Sequence, residues 1–207
     1  MKQTKRYKLG EIKLKDSVYV SDPCYSLGTW CQALIENLKP GKYIGYMKKA
    51  DFGPGGFGGI RVTDIWITHT DYPHLYPVKI LDETIDIGVD SGQAGIYDEE
   101  YYKKHHTPEL NERWYDKQFK LIYNYDINGN AFIEPYPVMN KETNKLEWVY
   151  PDPKQERRLG IVMDGKGVVS LSGFGDGSYD LYARKNKEGQ IIGLRINFID
   201  IHEEENY

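Results

Sequence analysis

The residues GVVSLSGFGDGSYDLYARKNKEGQIIGLRINFID, numbers 167–200, decide the fold class of this chain. Apolar residues roughly alternate with small or polar ones in residues 168–172 and again in residues 179–182, a pattern typical of half-buried strands. Between them lies the glycine-rich corner 173–178, which carries one carboxylate, Asp176. The pattern therefore predicts two strands joined by an acidic corner.

The rest of this stretch predicts a hairpin. Lys187, Glu188 and Gly189 indicate a turn, and residues 190–199 are rich in Ile and Leu, which is typical of a strand with a buried face. Similar patterns predict strands at 7–14, 17–20, 41–49, 60–70, 76–81 and 84–89.

Capping residues and apolar spacing also predict short helices. Thr29 and Asp98 are suitable N-caps for helices over 30–38 and 98–105, and Pro108 begins a third helix that runs to about residue 121. The expected fold is a single α+β domain over residues 1–207. We expect antiparallel β-sheet to dominate it, with two or three short helices.

Composition limits the possible partners and the location. The net charge is -4 and the pI is about 5.8, so no general positive field attracts nucleic acid, and we expect no DNA binding. No apolar stretch is long enough to cross a bilayer, and the basic N-terminus has no apolar segment typical of a secretory signal. We therefore expect a cytoplasmic protein that has no membrane partner.

Three polar corners each combine an aspartate with small residues after a predicted strand. The first corner is residues 21–25 (SDPCY), the second is 90–93 (DSGQ), and the third is 175–179 (GDGSY). If the three strands are neighbours, Asp22, Asp90 and Asp176 can converge. The candidate ligand-binding residues are Ser21, Asp22, Asp90, Ser91, Gln93, Asp176, Ser178, Tyr179 and Arg61.

The carboxylates of these corners allow two interpretations. Three convergent carboxylates would suit Mg²⁺ or Ca²⁺, which prefer oxygen ligands. Alternatively, each aspartate accepts hydrogen bonds from backbone N–H groups of its own turn, as Asx turns do. The sequence alone favours the second interpretation and leaves the identity of any cofactor open.

The corners also resemble the motifs of a family of uncharacterised bacterial and phage-borne proteins. Its members carry phrases similar to SDPCY at residues 21–25, VDSGQAGIYD at 89–98, WYD at 114–116 and GVVSLSGFGDGSY at 167–179. The resemblance implies a phage, prophage or bacterial cytosolic setting, and the host cytoplasm if the chain is phage-encoded. It implies no activity and no residue role.

The favoured function is a non-catalytic binding protein with a polar pocket for a small anionic or nucleotide-like ligand. Aspartates would bind ribose hydroxyls, Arg61 would bind a phosphate, and aromatic rings would stack on the base. From the resemblance, such a protein could sequester a host signal. The alternatives are a divalent-metal hydrolase that uses Asp22, Asp90 and Asp176, and an interaction module whose tyrosine-rich surface binds a partner protein.

Overall fold

Strands account for all the regular secondary structure in the described part of the chain. The computed structural model describes residues 4–23, 25–53, 59–77, 79–80, 85–102, 124–125, 131–132, 136–140, 145–149, 160–163 and 165–201. The strands are β1 Thr4–Leu14, β2 Val18–Ser21, β3 Ala33–Ile35, β4 Gly41–Asp51, β5 Ile60–His69, β6 Lys79–Ile80, β7 Asp86–Val89, β8 Gln93–Asp98, β9 Asn124–Tyr125, β10 Ala131–Phe132, β11 Tyr136–Asn140, β12 Lys145–Val149, β13 Ile161–Val162, β14 Gly167–Leu171, β15 Gly177–Lys185 and β16 Ile191–Asn197.

The larger sheet has seven antiparallel strands. Its order is β1, β4, β5, β16 and β15, and both β6 and β7 pair with the far edge of β15. Residues 177–197 supply two adjacent strands of this sheet. β15 and β16 form a hairpin through the turn at Asn186–Gln190, and β16 then pairs with β5. This arrangement places β7 beside the start of β15.

The smaller sheet has five antiparallel strands in the order β13, β14, β8, β2 and β3. Each predicted corner adjoins one of its strands: the first follows β2, the second links β7 of the larger sheet to β8, and the third links β14 to β15 of the larger sheet. Because β2, β8 and β14 are antiparallel neighbours, the three corners meet at the same end of the smaller sheet.

One apolar cluster draws its buried side chains from both sheets. It includes Ile12 and Ile65 from the larger sheet and Val20 and Ile96 from the smaller one. At Gly45 on β4 the sheets come so close that an added Cβ would lie 2.7 Å from a Val168 methyl group on β14. A glycine is therefore needed at that point of contact.

The predicted helices are wrong wherever the structure describes them, so the fold class is all-β rather than α+β in that part of the chain. Residues 29–32 form a turn, and residues 33–35 are β3, which pairs with β2. The exposure of Leu34 between buried Ala33 and Ile35 has the period of a strand, and pairing with β2 outweighs the weak helical preference.

The helix predicted from Asp98 is also wrong over its described residues. Asp98 ends β8, and its carbonyl accepts N–H groups of Tyr101 and Tyr102 in a turn. Its carboxylate accepts hydrogen bonds from the N–H groups of Lys15 and Glu100. Residues 103–121, which hold the rest of this helix, the third predicted helix and the WYD motif, lie outside the described residues.

The predicted antiparallel strands are confirmed at β1, β4, β5, β14, β15 and β16. The part of the chain that the structure describes contains no helix long and apolar enough to span a membrane.

Candidate functional site

The second corner is held by the carboxylate of the first. Asp22 is fully buried at the end of β2. Its Oδ2 accepts the N–H groups of Asp90 at 2.8 Å and Ser91 at 2.7 Å, and its Oδ1 accepts the Ser91 hydroxyl at 2.7 Å. These are charge-assisted hydrogen bonds between segments that are distant in the sequence, so Asp22 ties β2 to the loop between β7 and β8.

The third corner holds the same loop from another side. Asp176 Oδ1 accepts the Gly92 N–H at 3.0 Å, and the Gly92 carbonyl accepts the Ser172 N–H at 2.9 Å. Gly92 has a φ of +68°, a left-handed conformation that glycine adopts without strain. Three successive N–H groups, those of Asp90, Ser91 and Gly92, are thus bound by two carboxylates of this chain.

Tyr179 keeps the third corner compact. Its hydroxyl lies 2.9 Å from the Ser172 carbonyl oxygen and 2.6 Å from that of Gly175, and the Ser172 hydroxyl donates to Gly175 at 2.7 Å. Burial raises the pKa of Tyr179. The hydroxyl therefore stays protonated and can donate a hydrogen bond that holds the corner.

An open groove of about 560 Å³ lies beside the joined corners. Its walls come from the loop that contains Tyr25, Thr29, Trp30 and Cys31, from β7 with Asp90, and from residues 176–178. The volume is within the range of small-molecule sites in proteins, roughly 300–1,000 Å³. The groove is the space that the three corners shape.

The floor of the groove depends on Gly88. A Cβ at this position would lie 2.9 Å from Cys31 Cβ and 3.3 Å from the Tyr25 hydroxyl, so a larger residue would displace both side chains. Burial, and then hydrogen bonding to Cys31 and Asp90, raises the pKa of Tyr25. The Tyr25 hydroxyl is therefore a neutral hydrogen-bonding group in the groove wall.

The charged residues of the groove wall are all acidic. Among the described wall residues they are Asp86, Asp90 and Asp176, and none of these residues is a lysine, arginine or histidine. Asp86 on β7 is also the direct cross-strand partner of Asp180 on β15. Burial, and then the neighbouring Asp86, raises the pKa of Asp180. The described part of the groove wall is therefore acidic.

The three corner aspartates do not form a metal site. Both oxygens of Asp22 are occupied by N–H and O–H donors, which a cation would have to replace. Across the described ranges, no group of three or more histidine, cysteine, aspartate or glutamate side chains is placed to hold a metal ion. The described residues therefore do not form the Mg²⁺ or Ca²⁺ site that the metal-hydrolase alternative needs.

A second charged cluster lies elsewhere on the larger sheet. Arg195 Nη1 donates to Asp64 Oδ1 at 3.0 Å and to the Tyr76 hydroxyl at 2.6 Å. The guanidinium carbon lies 4.7 Å from the centre of the Tyr76 ring and 4.0 Å from that of Tyr182. We call these four residues the Arg195 cluster. Its ion pair is nearly buried, since the side chains of Arg195 and Asp64 are 12% and 4% exposed.

The Asp64 carboxylate is further bound by neutral donors. Tyr76 donates to its Oδ1 at 2.9 Å, and the Thr63 hydroxyl donates to its Oδ2 at 2.9 Å. Burial raises the pKa of Asp64, and the charge of Arg195 and these hydrogen bonds oppose that rise. The charge of the Arg195 cluster is thus balanced within the protein.

Most of the predicted site residues are brought together by the three corners. Asp22, Asp90, Ser91, Asp176 and Tyr179 take part in the bonds described above. Only Asp90, Asp176 and Ser178 of the predicted set line the groove.

The other predicted residues lie around this assembly. The Ser21 hydroxyl accepts a hydrogen bond from the Gln32 side chain at 2.9 Å, so it supports the first corner. The Gln93 Oε1 atom is buried and has no hydrogen-bond partner among the described residues. Arg61 lies 5.9 Å from the centre of the Phe174 ring and does not line the groove.

Sequence reasoning missed most of the wall residues, among them Thr29, Trp30, Cys31 and Asp86. Trp30 and Cys31 were hidden in the incorrectly predicted helix over 30–38. The available signal was a tryptophan that follows a glycine-containing loop; its side chain is 93% exposed in the structure.

A comparison with known protein families shows which family the chain belongs to. A family model described as protein of unknown function (DUF4241) matches residues 79–196, more than half of the 207 residues. The chain belongs to that family. The DUF4241 match includes the second and third corners, and the first corner precedes it. No curated protein and no solved structure matches the chain.

Proposed function

We propose that this chain is a binding protein and that the groove beside the three corners holds a small polar ligand. The observation that carries the proposal is the groove itself. Its volume of about 560 Å³ suits a small molecule, and its walls combine an exposed indole with hydroxyl and carboxylate groups. A few polar groups among apolar surface are the usual means of orienting a ligand.

The hydrogen bonds of the corners support this role, because they fix the groove wall before a ligand arrives. Asp90 and Asp176 lie on the loops that Asp22 and Gly92 tie together. A wall that is already ordered loses little conformational entropy when it binds a ligand, which favours affinity.

The cellular role is a further part of the proposal. We place the protein in the bacterial cytoplasm, where a phage-encoded copy would sequester a host signal. The support for this setting is the resemblance of the corner motifs. A nucleotide-like or other anionic ligand stays a prediction that the wall charges do not favour, because Arg61 lies outside the groove.

Blocking the groove tests the proposal. Purified chain is incubated with a bacterial metabolite extract, washed, and denatured, and the released small molecules are identified by mass spectrometry. Ser178→Trp places a bulky side chain at an exposed wall position, and Ser26→Trp is the matched control at an exposed position outside the wall.

We expect a compound that is retained by the unmodified chain and by Ser26→Trp and is lost from Ser178→Trp. Far-ultraviolet circular dichroism checks that both variants are folded. If folded Ser178→Trp retains the same compounds in the same amounts, or if the unmodified chain retains none, the proposed function is wrong.

A further inference from the structure

The wall of the groove indicates the charge of what it binds. Three aspartates, Asp86, Asp90 and Asp176, line a space that has no basic side chain in its described wall. Placing an anion there would cost Coulomb energy, and a cation would gain it. Asp176 uses only Oδ1 for the Gly92 N–H, and a carboxylate can accept about four hydrogen bonds, so this bond leaves it able to accept more.

Trp30 indicates the shape of the ligand. Its indole is 93% exposed at the edge of the groove, although a side chain of this size is usually well buried. The face of a tryptophan ring attracts cations that lie within about 6 Å of its centre, and its apolar surface gains free energy when a flat or apolar group covers it.

The wall chemistry also favours an organic cation over a metal ion as the ligand. In the part of the chain that the structure covers, no three acidic, histidine or cysteine side chains are placed around one metal position. An ammonium or guanidinium group does not need such close convergence, because it donates hydrogen bonds to oxygens spread over a larger surface. The Tyr25 and Thr29 hydroxyls can accept further bonds from it.

We propose that the groove binds a small organic cation, with its ammonium or guanidinium group among Asp86, Asp90 and Asp176 and its remaining part against Trp30. This inference rests on the proposed function and adds the chemical class of the ligand. It differs from the nucleotide-like ligand that the sequence predicts.

Isothermal titration calorimetry of the full chain tests the ligand class. The probes are agmatine, spermidine and choline as cations, and AMP and inorganic phosphate as anions. We expect at least one cation to bind, with weaker binding at higher salt because the attraction is electrostatic. We expect neither anion to bind in the groove.

Two variants locate the cation. Trp30→Ala should weaken its binding about tenfold, because the cation–π contact and the apolar cover are lost. Asp86→Asn should also weaken it several-fold, because one carboxylate of the wall is neutralised. Glu36→Gln is the control, since it removes an exposed carboxylate that is not in the wall, and it should leave affinity unchanged.

The outcomes distinguish this inference from the proposed function. If none of the three cations binds, or if a cation binds equally well to Trp30→Ala and Asp86→Asn, the inference is overturned. If an anion binds and Ser178→Trp abolishes that binding, the cation inference is overturned while the proposed binding function stands. Failure of the Ser178→Trp extract experiment is the separate result that removes the binding function.

Discussion

The groove and the Arg195 cluster use similar residues for opposite purposes. Both combine aspartate and tyrosine side chains, but in the Arg195 cluster a guanidinium lies over two tyrosine rings and pairs with a nearly buried aspartate. In the groove, the described wall is acidic and contains no basic side chain, and the large aromatic residue, Trp30, is exposed. The first arrangement balances its charge internally, and the second presents its charge to solvent.

The comparison indicates that charge balance, rather than residue type, separates a structural cluster from a candidate site. A nearly buried charge with partners is expensive to disturb, because its partner is left without compensation. A substitution in an exposed acidic wall changes the free energy of unfolding little, but it alters which ligands can bind. Substitutions in the Arg195 cluster should therefore change stability most, and substitutions in the groove wall should change binding most.

The largest expected effect comes from breaking the ion pair of the Arg195 cluster. Asp64→Ala should lower the free energy of unfolding by about 4 kcal/mol, because it leaves the Arg195 guanidinium nearly buried without its carboxylate. Urea unfolding of the variant measures this loss. The double variant Asp64→Leu with Arg195→Met should recover much of it; a double variant as unstable as Asp64→Ala would contradict the ion-pair explanation.

Removing the Asp22 carboxylate should have the next largest effect. Asp22→Ala should lower the free energy of unfolding by about 3 kcal/mol, because the N–H groups of Asp90 and Ser91 lose a charged acceptor. Asp51→Ala is the matched control, since Asp51 accepts the Gly53 N–H in an exposed loop, and its loss should cost less than about 1 kcal/mol. Equal losses in chemical denaturation would show that burial of the Asp22 bonds is unimportant.

A smaller effect of opposite sign is expected at the groove edge. Asp180 and Asp86 are like charges directly opposite one another, so Asp180→Asn should raise the free energy of unfolding at pH 7 by about 0.5 kcal/mol. Burial and Asp86 raise the pKa of Asp180 above its ordinary 3.8, so the folded state keeps this proton to higher pH than the unfolded state.

The sign of the pH dependence follows from that shift. The contribution of Asp180 to the free energy of unfolding should decline as pH rises from 3.8 through the raised folded pKa. Thermal melts between pH 3.5 and 7 compare the two proteins over roughly this window. If the difference in melting temperature between Asp180→Asn and the unmodified chain stays constant from pH 3.5 to 7, the raised pKa of Asp180 is ruled out.

The smallest expected change in stability is at Trp30. Because the indole is 93% exposed, Trp30→Ala should change the free energy of unfolding by less than about 0.5 kcal/mol. If Trp30→Ala lowers the melting temperature by more than a loss of about 0.5 kcal/mol would, Trp30 packs as part of the fold. The contrast between Trp30→Ala and Asp64→Ala is the sharpest test of the comparison.

Part of the fold could be predicted from the sequence because a strand has a strict period of two. The alternation in residues 168–172 and 179–182 predicts β14 and β15, and their corner was placed correctly. The helix over 30–38 failed because the short run has helix-compatible spacing, and pairing with β2 decided its conformation. No pattern near Trp30 could predict its place in the groove, because the other walls come from segments distant in the sequence.

The amino-acid sequence by itself determined the antiparallel strands and the three acidic corners, because strand periodicity and turn preference are local properties. The tertiary structure alone decided which carboxylates bind backbone N–H groups and which face the groove. That assignment separates Asp22, buried against residues 90–91, from Asp86 and Asp90 in the open wall. Hydrogen bonds between distant segments depend on strand order, which residue types and spacings within one segment do not specify.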